Sequence, residues 1–261
     1  MADKKQPASS SQATSRSIAS LDVALLWGRA RAMCSQCRDE LILDAIGSER
    51  PAVIGEMAHI VGHSDKGPRP DPSFPKEQRN KYENLILLCR NHHAAIDKQD
   101  SIHSVEDLRT MKADHERWVS DQTRSAVPGV GFAELDVVTK ALVGAGMQEG
   151  AGLHLLEISQ KVSRNGLTDQ VRWELSLLIS KAREVEDFVV GMGKLDSAFP
   201  ERLKAGFVRE YERLVADGVS GDALFEAMSA FASAGHRAFR LQAAGRIVLA
   251  YLFEKCEVFE R

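Results

Sequence analysis

The 261-residue sequence predicts an α+β chain in two parts, a small loop-rich module followed by an all-α half. Three observations carry that expectation. Cys34-x2-Cys37 and Cys89-x2-His92 are two pairs of metal-binding side chains with matching gaps, both in the first third of the chain. Residues 41–89 hold short apolar and β-branched runs broken by Gly and Pro. Beyond residue 132 prolines become few, and apolar residues recur at three- and four-residue spacing.

The elements follow in order. Residues 1–19 are rich in Ser, Ala and Gln and predict a disordered tail; with no apolar core segment they do not form a secretory signal. "SLDVALLWGRARAMC" spaces Val23, Leu25, Leu26, Ala30 and Met33 as one face of a helix that runs into Cys34, with Ser20 or Asp22 as its cap. "CSQC" is a tight knuckle, and two short strands are expected between Leu41 and His63. Residues 64–81 contain four of the chain's eight prolines and many charges, which predicts a long surface loop. "NLILLC" is a short strand or turn, and "NHHAAIDKQ" opens a helix. "SVEDLRTMKADHERWVSDQ" is a second helix, capped by Ser104 with Asp107 as the reciprocal partner. Pro128, Gly129 and Gly131 then mark a linker over 125–132, so the expected domains are 20–124 and 133–261. In the second, Val171, Leu175, Leu178, Ile179, Ala182 and Val185 form one helical stripe. "GRIVLAYLFEKCEVFER" reads as bundle core rather than a partner face.

Composition excludes several classes. Residues 1–124 hold 18 basic and 18 acidic side chains and residues 125–261 hold 16 and 19, so neither half is a general polyanion binder. Nucleic acid must be met by a local patch. The apolar runs "FVVGMG" and "IVLAYLF" are far shorter than the roughly 20 residues that cross a bilayer, so no membrane partner is expected. Free thiols and the lack of an export signal predict a cytoplasmic protein, with Cys256 a packed thiol. No phosphate-cradling glycine motif and no repeat is present, and residues 133–261 show no cluster with catalytic or metal-binding spacing.

The chemistry therefore sits in the first part. Cys34, Cys37, Cys89 and His92 can close a tetrahedral shell around a structural Zn2+, which would staple a small module with little core of its own. Exchange of His92 for His93 in that shell is the alternative register. If His92 is the ligand, His93 points about 100° away on the helix, and Asp97, four residues on, shares its face. An imidazole and a carboxylate so placed can hold one divalent cation from one side and leave positions for water and a phosphate. His59, at the end of a strand with His63 four residues on, supplies a candidate base.

In this order, "CSQC", "AHI" with His59, "ENLILLC" with Asn84 and "CRNHHAAID" resemble the HNH, or ββα-metal, endonucleases. With "LWGRARAMCSQC", "AHIVGHSDKGPR" and "LRTMKADHERWV" as frame, residues 20–120 are similar to the HNH module of bacterial anti-phage defence effectors. The resemblance implies His59 as general base, Asn84 as the brace of the loop between the strands and His93 as a metal ligand, with Asp97 where many members place another ligand. The sequence departs at Ala58, where many HNH enzymes carry an extra metal-ligating Asp or His. Glu56 or His63 can reach in instead, and the sequence does not choose.

The reading is thus a metal-dependent DNA endonuclease using Mg2+, Mn2+ or Ni2+, with double-stranded DNA as substrate. Lys66, Arg69, Arg79, Lys81, Arg90 and Lys98 are expected to contact phosphates. Residues 133–261 are expected to form a homo-oligomer, dock a partner or control the nuclease. A zinc-stapled module that binds nucleic acid or protein without cutting is the alternative, and Ala58 is the feature that favours it.

Overall fold

A computed structural model describes residues 17–43, 50–143, 158–255 and 258–259. Most of the expected tail and the expected packed thiol at Cys256 lie outside these residues. Ser17 to Ala19 are described, and Ile18 packs against the first hydrophobic core.

The first helix, α1 (Ser20–Ala30), ends when Arg31 takes the left-handed conformation, φ 55°, and its N–H caps Gly28 and Trp27. Leu26 and Ala30 enter the core of the first module, whereas Leu21 and Ala24 pack against the core of the helical half. The helix is therefore shared between both parts. Gly28 permits this: a Cβ there would lie 2.6 Å from the Cβ of Glu226.

A short antiparallel pair of two-residue strands, β1 (Ile42–Leu43) and β2 (Ala52–Val53), precedes β3 (Gly55–His59). Strand β4 (Leu85–Cys89) pairs antiparallel with β3, from Gly55 opposite Cys89 to His59 opposite Leu85. Leu85 to Leu88 are all fully buried, which explains an apolar run without alternation: both faces of β4 are covered. α2 (Arg90–Lys98) follows with no intervening loop, and α3 (Val105–Ala126) begins at the expected capping box, Asp107 N–H donating to Ser104 Oγ at 3.1 Å. α3 runs on past Gln122, and a single turn over residues 127–129 leads into the second half, with Val127 and Val130 buried in its core. The segment expected as a linker is thus packed. Its apolar valines anchor a tight turn rather than a free spacer.

The second part comprises α4 (Phe132–Val143), α5 (Ile158–Arg164), α6 (Asp169–Ile179), α7 (Ala182–Leu195), α8 (Phe199–Ala216), α9 (Gly221–Ala232) and α10 (Phe239–Lys255). α10 is central and packs on α3, α4, α6, α7 and α9. Residues 243 to 250 are buried without a break, so the C-terminal apolar segment is core, as its pattern suggests. The single stripe expected from Val171 to Val185 is two helices. Ser180 Oγ donates to the Leu177 carbonyl at 2.6 Å, competing with the helical bond, and α7 restarts with the apolar phase preserved at Ala182 and Val185.

Candidate active site

The β3–β4 hairpin and α2 form the scaffold. Cys34 and Cys37 lie on the knuckle after α1, which is pinned to β4 by Ser35 N–H donating to the Leu87 carbonyl at 2.9 Å. Cys89 ends β4 and caps α2, accepting from the His92 N–H at 3.5 Å. The ligand atoms of Cys34, Cys37, Cys89 and His92 all lie within 4.8 Å of one another, and among the described residues no other group of three or more such side chains converges so closely. His92 Nδ1 is 3.1 Å from Cys89 Sγ and 3.6 Å from Cys34 Sγ. These separations approach the edges of a tetrahedron with zinc bonds of about 2.0 to 2.3 Å, so the donor set fits Zn2+.

Charge in this cluster is shared unequally. Burial opposes ionisation of Cys34, yet the backbone N–H groups of Cys37, Cys89 and Gln36 and the His92 ring outweigh it and bring its thiol down to about 7. Burial, with the thiol of Cys34 adjacent, pushes Cys37 up to about 12. Ionising both thiols needs a compensating positive charge, which a dication supplies.

The next residue on α2 faces a different environment. His93 Nδ1 is 2.7 Å from Glu56 Oε2 on β3, and Nε2 is 3.2 Å from Asp97 Oδ2. The Asp97 hydrogen bond, then Glu56, raise this imidazole above its usual range against the effect of burial. Glu56 and Ala58 share a face of β3 by strand alternation. Ala58 is fully buried and offers no donor, and it is Glu56, not His63, that the fold brings to His93.

His59 sits at the end of β3. Its Nε2 is 2.9 Å from Asn80 Oδ1, and its ring meets that of His63 edge-on at 5.2 Å between centroids. Burial first, then the neighbouring His63 and His93, hold His59 below the usual imidazole range, although the Asn80 bond and the Asp97 charge act the other way. Burial thus favours the neutral imidazole. With Nε2 engaged by the Asn80 carbonyl oxygen, Nε2 carries the hydrogen and Nδ1 is the free basic nitrogen.

Two side chains join these pieces. Arg69 donates to the carbonyls of Ile60 at 2.9 Å, Ile96 at 3.1 Å and His59 at 3.1 Å, and to Asp97 Oδ1 at 2.6 Å, so one guanidinium ties the end of β3 to the Asp97 side of α2. Asn84, almost fully buried, accepts from Val61 N–H at 2.8 Å and donates to the carbonyls of Val61 and Arg79, both at 2.9 Å, closing the loop that follows His59.

The structure corrects two expected phosphate contacts. Arg69 and Arg79 are buried; Arg79 donates to the Gly62 and Asp71 carbonyls and to Asp65. Both are struts of the proline-rich loop, and a phosphate cannot reach donors already engaged inside the fold. Lys66, Arg90 and Lys98 are exposed, Arg90 within 3.3 Å of Glu56, and Lys81 lies 3.4 Å from Asp22.

A family model described as HNH endonuclease matches residues 42–102, from β1 to just beyond α2. Residues 42–102 are thus similar to the HNH endonucleases. The match covers about a quarter of the chain and includes His59, Asn84, His93 and Asp97. Of the sulfur cluster it includes Cys89 and His92; the knuckle of Cys34 and Cys37 lies before it, as does α1, and α3 and the helical half lie after it. No curated protein matches the chain.

Sequence reasoning missed Asn80 and the strut role of Arg69. Asn80 sits in a proline-rich loop with no periodicity to mark it. Arg69 was assigned by its charge alone, and arginine is most often exposed.

Proposed function

We propose that the chain is a metal-dependent HNH endonuclease that hydrolyses DNA phosphodiester bonds, double-stranded DNA in the first place. The observation that carries this reading is the arrangement around Arg69: His59 held beside a His93–Asp97 pair whose facing atoms, 3.2 Å apart, can share one cation.

His93 Nε2 and Asp97 Oδ2 would hold the divalent ion, Mg2+, Mn2+ or Ni2+, with Glu56 orienting His93 through Nδ1. The ion supplies positive charge at the scissile phosphate and at the departing oxygen. His59 Nδ1 takes a proton from water, and the hydroxide formed attacks phosphorus as the bond to the 3′ oxygen breaks; that oxygen takes a proton from a second water, leaving a 5′-phosphate and a 3′-hydroxyl. Asn80 fixes the tautomer of His59, and Asn84 keeps the strand end in place without reacting. Lys66, Arg90, Lys98 and Lys81 are the candidates for backbone contacts, which would position DNA without reading bases.

Supercoiled plasmid incubated with each metal tests the reading. Wild type should relax or linearise it and His59→Ala should not; unchanged cleavage by His59→Ala removes the base assignment. The second reading, a binding module that does not cut, is favoured by the missing donor at Ala58, and absence of cleavage with every metal supports it. A role as a cytoplasmic prokaryotic anti-phage effector is supported by the sequence likeness. Control or assembly through residues 133–261 is supported by the helix α1 shared between the halves. A mass measurement in solution decides between monomer and homo-oligomer.

A further inference from the structure

The chain just before α1 is extended: Ala19 has φ −66° and ψ 147°, and its carbonyl accepts from Val23 N–H at 3.1 Å as the helix begins. Its course is fixed at two points. Ile18 packs against the first core, and Asp22, buried in the first turn of α1, accepts from Tyr82 N–H at 2.8 Å with Lys81 Nζ 3.4 Å away. The end of the segment expected as a tail is thereby laid beside residues 80–82.

At Ser17 it meets the candidate site. Asn80 Nδ2 donates to the Ser17 carbonyl at 3.2 Å, while Asn80 Oδ1 lies 2.9 Å from His59 Nε2. A side-chain amide has donors at one end and an acceptor at the other, and a backbone carbonyl can only accept. With its donor end engaged by Ser17, the amide offers His59 an oxygen. Reversed, the same amide would set carbonyl against carbonyl at Ser17 and a donor against Nε2, which would move the ring hydrogen of His59 to Nδ1.

We propose that Ser17 to Ala19 form a positioning strap of the candidate active site, in which the Ser17 carbonyl orients Asn80 so that His59 keeps its hydrogen on Nε2 and leaves Nδ1 bare. Its value to catalysis rests on the reading of His59 as general base; the tautomer itself does not. Ser17 acts through Asn80 and is a positioning residue.

Long-range proton–nitrogen NMR of the zinc-loaded full chain with isotope-labelled histidine, at about pH 8 where an ordinary imidazole is neutral, reads the tautomer without any need for cleavage. Plasmid cleavage reports separately on the base assignment, so a wild type that does not cut would remove that reading and not the strap. His59 of wild type should carry its hydrogen predominantly on Nε2. Ile18→Gly releases the anchor of the strap and should lower the ratio of Nε2–H to Nδ1–H roughly fivefold, the net worth of one hydrogen bond. Adding Asn80→Asp to Ile18→Gly should restore the ratio, because a carboxylate has no donor end and accepts from Nε2 whichever way it lies. A wild-type His59 with its hydrogen on Nδ1 overturns the inference. So does a ratio that changes less than about twofold in Ile18→Gly, or one that the added Asn80→Asp fails to restore.

Discussion

His92 and His93 are adjacent on one helix and meet opposite kinds of donor. His92 turns into a cluster of three sulfurs, where soft donors at four corners would close the shell around an ion. His93 turns toward two carboxylates, Glu56 at its Nδ1 and Asp97 at its Nε2, which are hard donors. A helical step of about 100° separates the two proposed roles. Damage at the sulfur cluster should unfold the module, and damage at the carboxylate site should silence it while leaving it folded.

The largest effect should come from the cluster. Cys37→Ser, or removal of zinc by a chelator, should lower the calorimetric midpoint by roughly 20 °C or more, since a structural zinc contributes on the order of 10 kcal/mol to folding. A loss of only a few degrees would mean that the first core holds without an ion.

Next come the variants that sharpen the contrast. His93→Ala should cut the plasmid-cleavage rate at least about 10²-fold, the equivalent of several kcal/mol of charge stabilisation, and His59→Ala by roughly 10² to 10⁴-fold. Both should unfold within a few degrees of wild type. A midpoint drop comparable with that of Cys37→Ser would erase the distinction.

A smaller and more diagnostic effect concerns pH. Because burial depresses His59, its basic form is present above its lowered folded value, so cleavage should rise through a pH below the ordinary 6.5 and stay level above it. Asn80→Asp puts a carboxylate on Nε2, favours the protonated ring and should move that limb upward by about one unit or more. Asn80 is a positioning residue, and a merely structural one would leave the limb in place. The smallest effect is expected for Lys98→Ala, a roughly twofold loss of affinity with a salt dependence shallower by about one phosphate contact.

Much of this was legible in the sequence, for identifiable reasons. Cys-x2-Cys and Cys-x2-His can be read because a tight turn converts short spacing directly into proximity. His93 and Asp97 can be read because helical periodicity does the same. Strand β4 showed itself as "LILLC", and α3 by its capping box. What escaped depends on distant packing. That α1 serves two cores, with Gly28 against Glu226, involves residues far apart in sequence. Arg69 and Arg79 are buried because the proline-rich loop folds over them, and no local pattern distinguishes a strut from a phosphate contact. The break between α6 and α7 preserves the apolar phase and so leaves no mark on it.

The most direct test of two separate ion sites is a Mn2+ titration of zinc-loaded protein, followed by calorimetry with metal analysis of the same samples. Wild type should retain one equivalent of zinc and take up one of manganese; His93→Ala should keep its zinc and take up no manganese. Zinc lost from His93→Ala, or manganese still bound by it, would contradict the division of labour between the two histidines.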